Sequence, residues 1–447
     1  MASVQSNAFF LYNPTDASRP ENEHVLLGVK IQPSAPSDPS RRRPFHLALL
    51  LDTSGSMEGQ RMTALCRTLH LLIDELYRHD RLTIIEYNNT GKSLAIDIVV
   101  SGEGRTQLHN IVNSLVADGG TNLEAAFGEL YRLAQTPTIT PIDSVFILTD
   151  GHINSGMTNS RGLMSLLMRA LPEGTPVNTL GYGADHNARL LRDMSLRSCG
   201  SYTFADADEM LPAIIGDITG GLAAEVGRGA TLALPHGWSC IELGAKQNAD
   251  TYTFGHLVAE KTHWVVLKGP PRSQYVPVEF MLSYTYDGNS YASNIRIDTV
   301  QTVEVAVQRD RVQVAVVFGR VMEMIEAGHM NNARHELDTL VLALDQSEGK
   351  HELMAVRLRA QVEEMLDSLR AAVQPGPLQR APYLGSMISR LASDMSALGN
   401  QRGLLSSRVS TIVDDPIEHD TALFSSPLQR RTTTSMTQRY EESINRE

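Results

Sequence analysis

Asp52, Ser54 and Ser56 close the apolar run Leu47-Ala48-Leu49-Leu50-Leu51 and offer a carboxylate and two hydroxyls at alternate positions. Such a run reads as a buried parallel strand. Open α/β sheets place their sites where strands end at their C-terminal edge. All the donors are oxygens and only one carries charge. That suits a hard cation such as Mg²⁺, which keeps several waters and takes few protein carboxylates. Two later segments extend the set. Asp118-Gly119-Gly120-Thr121-Asn122 separates two helical stretches. Its glycines let backbone approach closely, and Thr121 presents a third hydroxyl. Ser144-Val145-Phe146-Ile147-Leu148 is a second apolar strand, running through Thr149 to Asp150 and Gly151. Three loops at one sheet edge therefore supply Asp52, Ser54, Ser56, Thr121 and Asp150.

Alternating strands and helices must position these loops. Residues 43–221 carry that alternation, the pattern of a doubly wound, mostly parallel sheet. Met62 to Leu76 has helical apolar spacing, and Arg81 to Tyr87 reads as the next strand. Leu94 to Val100 reads as an antiparallel edge strand. Helices are expected over Thr106 to Leu115 and Leu123 to Leu133. Val177 to Gly183 is a further strand, with Asp185-His186-Asn187 after it as a helix start. Gly200 to Phe204 is the last strand and Asp208 to Ile218 the closing helix.

The D-x-S-x-S motif at Asp52, the Gly-Gly-Thr loop at Thr121 and the Thr-Asp-Gly at Asp150 occur in one order. Together they resemble the von Willebrand factor type A (VWA) domain and its metal-ion-dependent adhesion site, in an intracellular multidomain setting. The resemblance covers about residues 43–221, and Gly181-Tyr182-Gly183 with Gly200-Ser201-Tyr202 extends it into the C-terminal half. It implies that Ser54, Ser56 and Thr121 touch a divalent ion, Mg²⁺ or else Mn²⁺ or Ca²⁺, by hydroxyl oxygen. Asp52 and Asp150 would act directly or through water. Few negative charges then contact the ion, so it stays electrophilic. An Asp or Glu of a protein partner completes its shell. The blander alternative is that Ser54 and Thr121 merely cap the helices that follow. His152, Asp118 and Glu58 read as rim or helix-end charges, and Cys66 and Cys199 as small packed side chains.

The rest of the chain is organised differently. Val25 to Ile31 looks like a strand, followed by a linker with Pro33, Pro36, Pro39 and the solvated run Arg41-Arg42-Arg43. Residues 222–306 carry short strands at regular spacing, the sign of a β-sandwich. Within them, Asp287-Gly288-Asn289 is a hairpin signal. Residues 1–42 are expected to contribute a strand to that sandwich, with the α/β domain inserted into it. Residues 307–374 read as a small helical domain of two or three antiparallel helices packed on the sandwich. The final stretch, 375–447, is rich in Ser, Thr, Gln and Arg and is expected to be largely disordered. Pro377-Leu378-Gln379-Arg380 recurs there as Pro427-Leu428-Gln429-Arg430, which reads as chance or as a short motif for a partner or kinase.

A chain of 447 residues exceeds one core and implies several domains. The formal net charge of -12 argues against general nucleic-acid binding, which needs a positive field. Three scattered cysteines do not make a secreted disulfide framework. With no leader-like segment and no long apolar run, a cytoplasmic protein is expected, without a membrane span. The expected function is a metal-dependent protein-binding scaffold rather than an enzyme. The alternatives are a metal-assisted hydrolase, or a structural protein whose A domain binds no metal. No G-x-S-x-G, Walker loop or H-E-x-x-H supports catalysis.

Overall fold

The computed structural model describes residues 3–35, 42–172, 174–183, 185–242, 247–248, 250–298, 302–372, 377–400 and 425–445. The chain divides into two units, one made of residues 1–41 and 225–425, the other of 42–224 and 426–447. The first unit opens with β1 (Val4–Phe10) and β2 (His24–Pro33). The chain then enters the second unit. There it forms β3 (His46–Asp52), α1 (Gln60–Glu75), β4 (Arg81–Tyr87), β5 (Gly91–Val99), α2 (Gly102–Asn113) and α3 (Leu123–Ala134). It continues through β6 (Ser144–Thr149), α4 (Ser160–Ala170), β7 (Val177–Tyr182), α5 (Ala188–Arg197), β8 (Tyr202–Ala205) and α6 (Met210–Ala223).

The strands of the second unit lie in the order β5-β4-β3-β6-β7-β8. All neighbours are parallel except β5, which runs antiparallel to β4 along the edge. This is the doubly wound sheet that the alternation of elements predicts. Every residue of β3 and β6 is buried, as expected for strands covered on both faces. The order reverses at β3, whose sequence neighbour β4 lies on one side while β6 lies on the other. The crevice beyond the carboxyl ends of β3 and β6 is therefore the topological switch point. One face of the sheet packs Leu50, Ile85, Val145 and Ile147 against Phe127, Leu130, Leu163 and Leu167 from α3 and α4. The sequence reading has no helix at α4. Its start is set by Asn159, whose side chain accepts from the Gly162 amide.

The first unit resumes with β9 (Glu225–Ala233), β10 (Ser239–Cys240), β11 (Gln247–Asn248), β12 (Thr251–Val258) and β13 (His263–Pro271). Strands β14 (Met281–Tyr286), β15 (Asn289–Asn294) and β16 (Arg296–Asp298) follow, then helices α7 (Val303–Glu326), α8 (Met330–Asp345), α9 (Leu353–Ala372) and α10 (Pro377–Asn400). Its sheets have the orders β10-β13-β2-β1-β16 and β11-β12-β9-β14-β15. Strand β2 pairs with β13 across 240 residues of chain at Leu27 and Leu267, so this unit is assembled from both sides of the α/β unit. The β14–β15 hairpin turns on Asp287 and Gly288, both at positive φ, the Asp-Gly signature of a two-residue loop. Arg311 on α7 is wholly buried, its Nη2 2.5 Å from Glu242 Oε1 and its Nη1 donating to the Leu398 carbonyl of α10 at 2.6 Å. Nothing in the apolar spacing of α7 announces it.

The stretch expected to be largely disordered carries α10 and a last helix, α11 (Pro427–Ile444), while residues 401–424 lie outside the described residues. In α10, Met387, Leu391, Met395 and Leu398 are buried at helical spacing. In α11 the buried apolar residues are Met436 and Tyr440, one turn apart, while Leu428 and Ile444 are exposed. Its first turn is a capping box between Ser426 and Gln429, with Pro427 inside it. It docks on α6 where glycines remove the side chains. A Cβ on Gly220 would lie 2.6 Å from Gln429 Cα, and one on Gly216 2.8 Å from Thr433 Cα. Contact through backbone leaves little hydrophobic pattern to read. The second copy of the duplicated tetrapeptide is thus the start of a docked helix. The Arg41 of the linker run, with Pro36 and Pro39, lies outside the described residues. Arg42 is no solvated charge: it pairs with the buried Asp80 at 2.5 Å and lies 4.1 Å over the Tyr77 ring.

Candidate metal centre

Strand β3 delivers Asp52 to the sheet edge fully buried. Its Oδ1 accepts from the Ser54 amide at 2.9 Å and its Oδ2 from the Thr149 hydroxyl at 2.7 Å. Burial pushes this carboxyl above its ordinary range, and the bonds from Ser54 and Thr149 pull it partly back. The Thr53 amide makes the last bond of the β3–β4 ladder, to the Tyr87 carbonyl at 2.9 Å, and the chain leaves the sheet beyond it.

The next residues form a chain of hydroxyls. Ser54 Oγ lies 3.1 Å from Ser56 Oγ, and Ser56 Oγ donates to Asp150 Oδ1 at 2.7 Å. Asp150 stands one residue past β6 and one step beyond Thr149, which the β3–β6 register brings level with Asp52, and its charge is felt by Asp52. The Thr121 loop is tied to the Asp52 loop by backbone bonds from Gly55 to the Gly119 carbonyl at 3.0 Å and from Asp118 to the Thr53 carbonyl at 2.8 Å. Gly119 needs its φ of +78° for this turn. Gly120 is pressed between Asn89 and Asn154, whose Oδ1 atoms would lie 2.8 and 2.6 Å from an added Cβ. Asn154 also accepts from the Thr121 amide at 2.8 Å. A Cβ on Gly151 would sit 3.6 Å from Ser56 Oγ and 3.9 Å from Thr121 Oγ1. All five residues singled out by the motifs therefore lie together at the C-terminal edge of the sheet.

Helix capping does not account for the hydroxyls. The cap of α3 is Asn122, whose side chain accepts from the Ala125 amide, and Thr121 is left out of it. The cap of α1 is Gly59, and Ser54 makes no side-chain cap bond to the short turn it precedes. The donor set is two carboxylates and three hydroxyls, the chemistry of a hard, oxygen-seeking cation. Among the described residues no group of three or more His, Cys, Asp or Glu side chains could hold a metal.

Several supporting residues carried no sequence signal. Thr149 belongs to the Thr-Asp-Gly motif, but nothing in the motif announces that it holds Asp52. Arg61, on the first turn of α1, places Nη1 2.5 Å from Asp150 Oδ2. Tyr87 donates to the Leu148 carbonyl at 2.8 Å, and burial pushes its phenol well above the usual value. The rim candidates separate from the set: His152, Asp118 and Glu58 are exposed. The α5 start uses Asn187 as its cap, while His186 is buried between the Gly183 carbonyl and the Tyr202 hydroxyl. Burial holds that imidazole down at about 4, so it is neutral at pH 7. Cys66 and Cys199 are half-buried and Cys240 is buried, all as free thiols.

The family model of the von Willebrand factor type A domain matches residues 46–217, so this part of the chain is a VWA domain. The uncharacterized protein YfbK of Escherichia coli is 28% identical over 194 residues, covering 42% of this chain and 33% of that protein. The chain thus spans about a third of that relative's length. Among solved structures, a von Willebrand factor type A protein from Catenulispora acidiphila superposes with a TM-score of 0.62 at 15% identity, covering 88% of this chain and 96% of that one. The ArnB paralog VWA2 from Sulfolobus acidocaldarius does so with a TM-score of 0.54 at 15% identity, covering 88% and 99%. These likenesses extend past the VWA domain and establish shared fold. Among the described residues no helix is long and apolar enough to cross a membrane.

Proposed function

We propose that the VWA domain holds a divalent cation, Mg²⁺ or Mn²⁺, at Asp52, Ser54, Ser56, Thr121 and Asp150, and that the ion receives an Asp or Glu of a protein partner. The protein is then a metal-dependent binding module or scaffold, not an enzyme. The observation that carries this reading is the convergence of three hydroxyls that no helix cap uses on two buried carboxylates. Three of the five donors are neutral, so the protein's own ligands do no more than balance a divalent ion and leave it open to an anionic ligand. An exposed carboxylate on a partner supplies that charge and an oxygen of matching hardness. Asp52 is held in one orientation by the Ser54 amide and the Thr149 hydroxyl. The free thiols at Cys66, Cys199 and Cys240 fit a reducing compartment, and the reading places the protein inside the cell.

Calorimetric titration with Mg²⁺ and Mn²⁺ tests the reading, on the wild type and on Asp52→Ala/Thr121→Ala. One-site saturable binding that the double variant loses is the expected result. Equal heats from two folded proteins would make the domain a structural platform. A hydrolysis panel run with the ion present should show no metal-dependent turnover.

A further inference from the structure

We propose that Arg61 is a positioning residue that occupies Asp150 as a resident counter-charge, so that the site binds its metal less tightly and the metal binds an acidic ligand more tightly. This rests on the metal-binding reading above. Both oxygens of Asp150 are already engaged: Oδ1 accepts from Ser56 at 2.7 Å and Oδ2 faces Arg61 Nη1 at 2.5 Å. The carboxylate is fully buried, whereas the Arg61 side chain is 36% exposed, so the guanidinium reaches in from the rim. It starts from the first turn of α1, where side chains lean back toward the N-terminal end of the helix. That lean aims it at the loop holding Ser54 and Ser56.

The guanidinium has a built place. Its Cζ lies 5.6 Å from the centre of the Tyr182 ring. Nη2 lies 2.9 Å from where a Cβ of Gly183 would be, and Gly183, at a φ of +76°, leaves that room. The Tyr182 hydroxyl is itself bonded to Asp208, whose carboxyl feels the positive charge of Arg61. A ring, a missing side chain and two carboxylates therefore define the slot.

The consequence follows from charge. Asp52 and Asp150 supply two negative charges and Arg61 returns one positive charge. A divalent ion then leaves the site with a surplus of one positive charge, where without Arg61 it would be neutral. Repulsion between the guanidinium and the ion weakens metal binding, and the same surplus strengthens the capture of an anion. The two effects have opposite signs, a pattern that a purely structural arginine does not produce.

The test uses the full chain with Arg61→Met and Arg61→Gln, which both remove the charge, and Arg61→Lys, which keeps it. Mn²⁺ affinity is read by calorimetry. Acetate binding to the Mn²⁺-loaded protein is read by the loss of water-proton relaxation as acetate displaces metal-bound water. For a half-exposed charge the expected shift is about tenfold. The neutral variants should bind Mn²⁺ about tenfold more tightly and acetate about tenfold more weakly. Arg61→Lys should stay near the wild type in both. Unchanged Mn²⁺ affinity in a folded neutral variant, or both affinities moving in the same direction, overturns the role of Arg61 alone. A wild type that binds no Mn²⁺ overturns the metal reading and this inference with it. Two neutral replacements of different shape keep the test decisive if one does not fold.

Discussion

Gly220→Ala is the most searching test of the packing of the α/β unit, because two effects of known size oppose each other there. Alanine is favoured over glycine inside a helix by about 1 kcal/mol. At Gly220, however, the new Cβ would lie 2.6 Å from Gln429 Cα and 3.2 Å from Thr432 Cβ. Carbon atoms rest about 3.5–4.0 Å apart, so α11 must retreat by about 1 Å. Overpacking of this kind costs about 1–3 kcal/mol. The retreat also stretches the two bonds from Gln429 Nε2 to Asp217, now 3.2 Å to its carbonyl and 3.0 Å to its carboxylate, worth about 1 kcal/mol each. The balance is a net loss of about 3 kcal/mol if both bonds are lost, after the helix-propensity gain. Gly128 in the middle of α3 is the control, since a Cβ there meets nothing within 4 Å. Gly128→Ala should raise stability by about 1 kcal/mol. Urea denaturation of both variants measures the difference, and hydrogen exchange across residues 427–444 reports whether α11 loosens. If Gly220→Ala stabilises the protein as Gly128→Ala does, the backbone contact between α6 and α11 is not what holds the last helix.

Two further tests bear on buried charge in the first unit. Burial alone would raise the Glu225 carboxyl, but His256 and Arg228 outweigh it and hold it at about 2. Because the folded value lies below the ordinary one, its contribution is present above pH 4.5 and is lost as pH falls toward 2. Glu225→Gln should flatten the acid limb of a stability–pH profile by about 3 kcal/mol over that window; an unchanged limb would refute the pairing. Arg311→Met strands Glu242 in the interior, where its Oε2 already has no partner among the described residues. Breaking a buried pair this way costs about 3–5 kcal/mol, and Arg311→Met/Glu242→Leu should recover much of it. A single variant losing under about 1 kcal/mol would show that the pair is dispensable.

What was legible in the sequence was what repeats locally. The apolar run before Asp52 reads as a covered parallel strand by its length and its polar end, and the Asp-Gly pair at 287–288 carries its own turn geometry. The doubly wound order follows once strands and helices alternate. Features that depend on close approach were not legible. Docking of α11 rests on absent side chains at Gly216 and Gly220, and a glycine in a helix reads as a weakness until its neighbour is seen. Helix α4 buries Leu163, Met164, Leu167 and Ala170 at helical spacing, but it is short and carries a glycine, Gly162, in its first turn, which weakens the signal. At the sheet edge the motif residues could be named from strand ends. The bonds that hold them could not, because Thr149 reaches Asp52 across 97 residues and Arg61 reaches Asp150 across 89.

The two carboxylates at the sheet edge are buried for different reasons, and the difference is testable without knowing any partner. Asp150 has a cation beside it in Arg61. Asp52 has only neutral donors, the Ser54 amide and the Thr149 hydroxyl, and among the described residues no basic side chain pairs with it. An ionised carboxylate in that position is costly to the protein without a metal, because hydrogen bonds from neutral groups only partly replace lost hydration. Asp52→Asn keeps the shape and removes the charge. Its carbonyl oxygen can still accept from Ser54, and its amide can donate to the Thr149 oxygen once that hydroxyl turns to the Gly151 carbonyl 3.3 Å away. In EDTA the variant should therefore unfold at or above the urea midpoint of the wild type. Excess Mn²⁺ should stabilise the wild type by about 2.7 kcal/mol at a hundredfold excess over the dissociation constant, and the variant hardly at all. A variant that loses more than about 2 kcal/mol in EDTA would show that the Asp52 charge serves the fold. A variant that gains as much from Mn²⁺ as the wild type would show that the ion does not need Asp52.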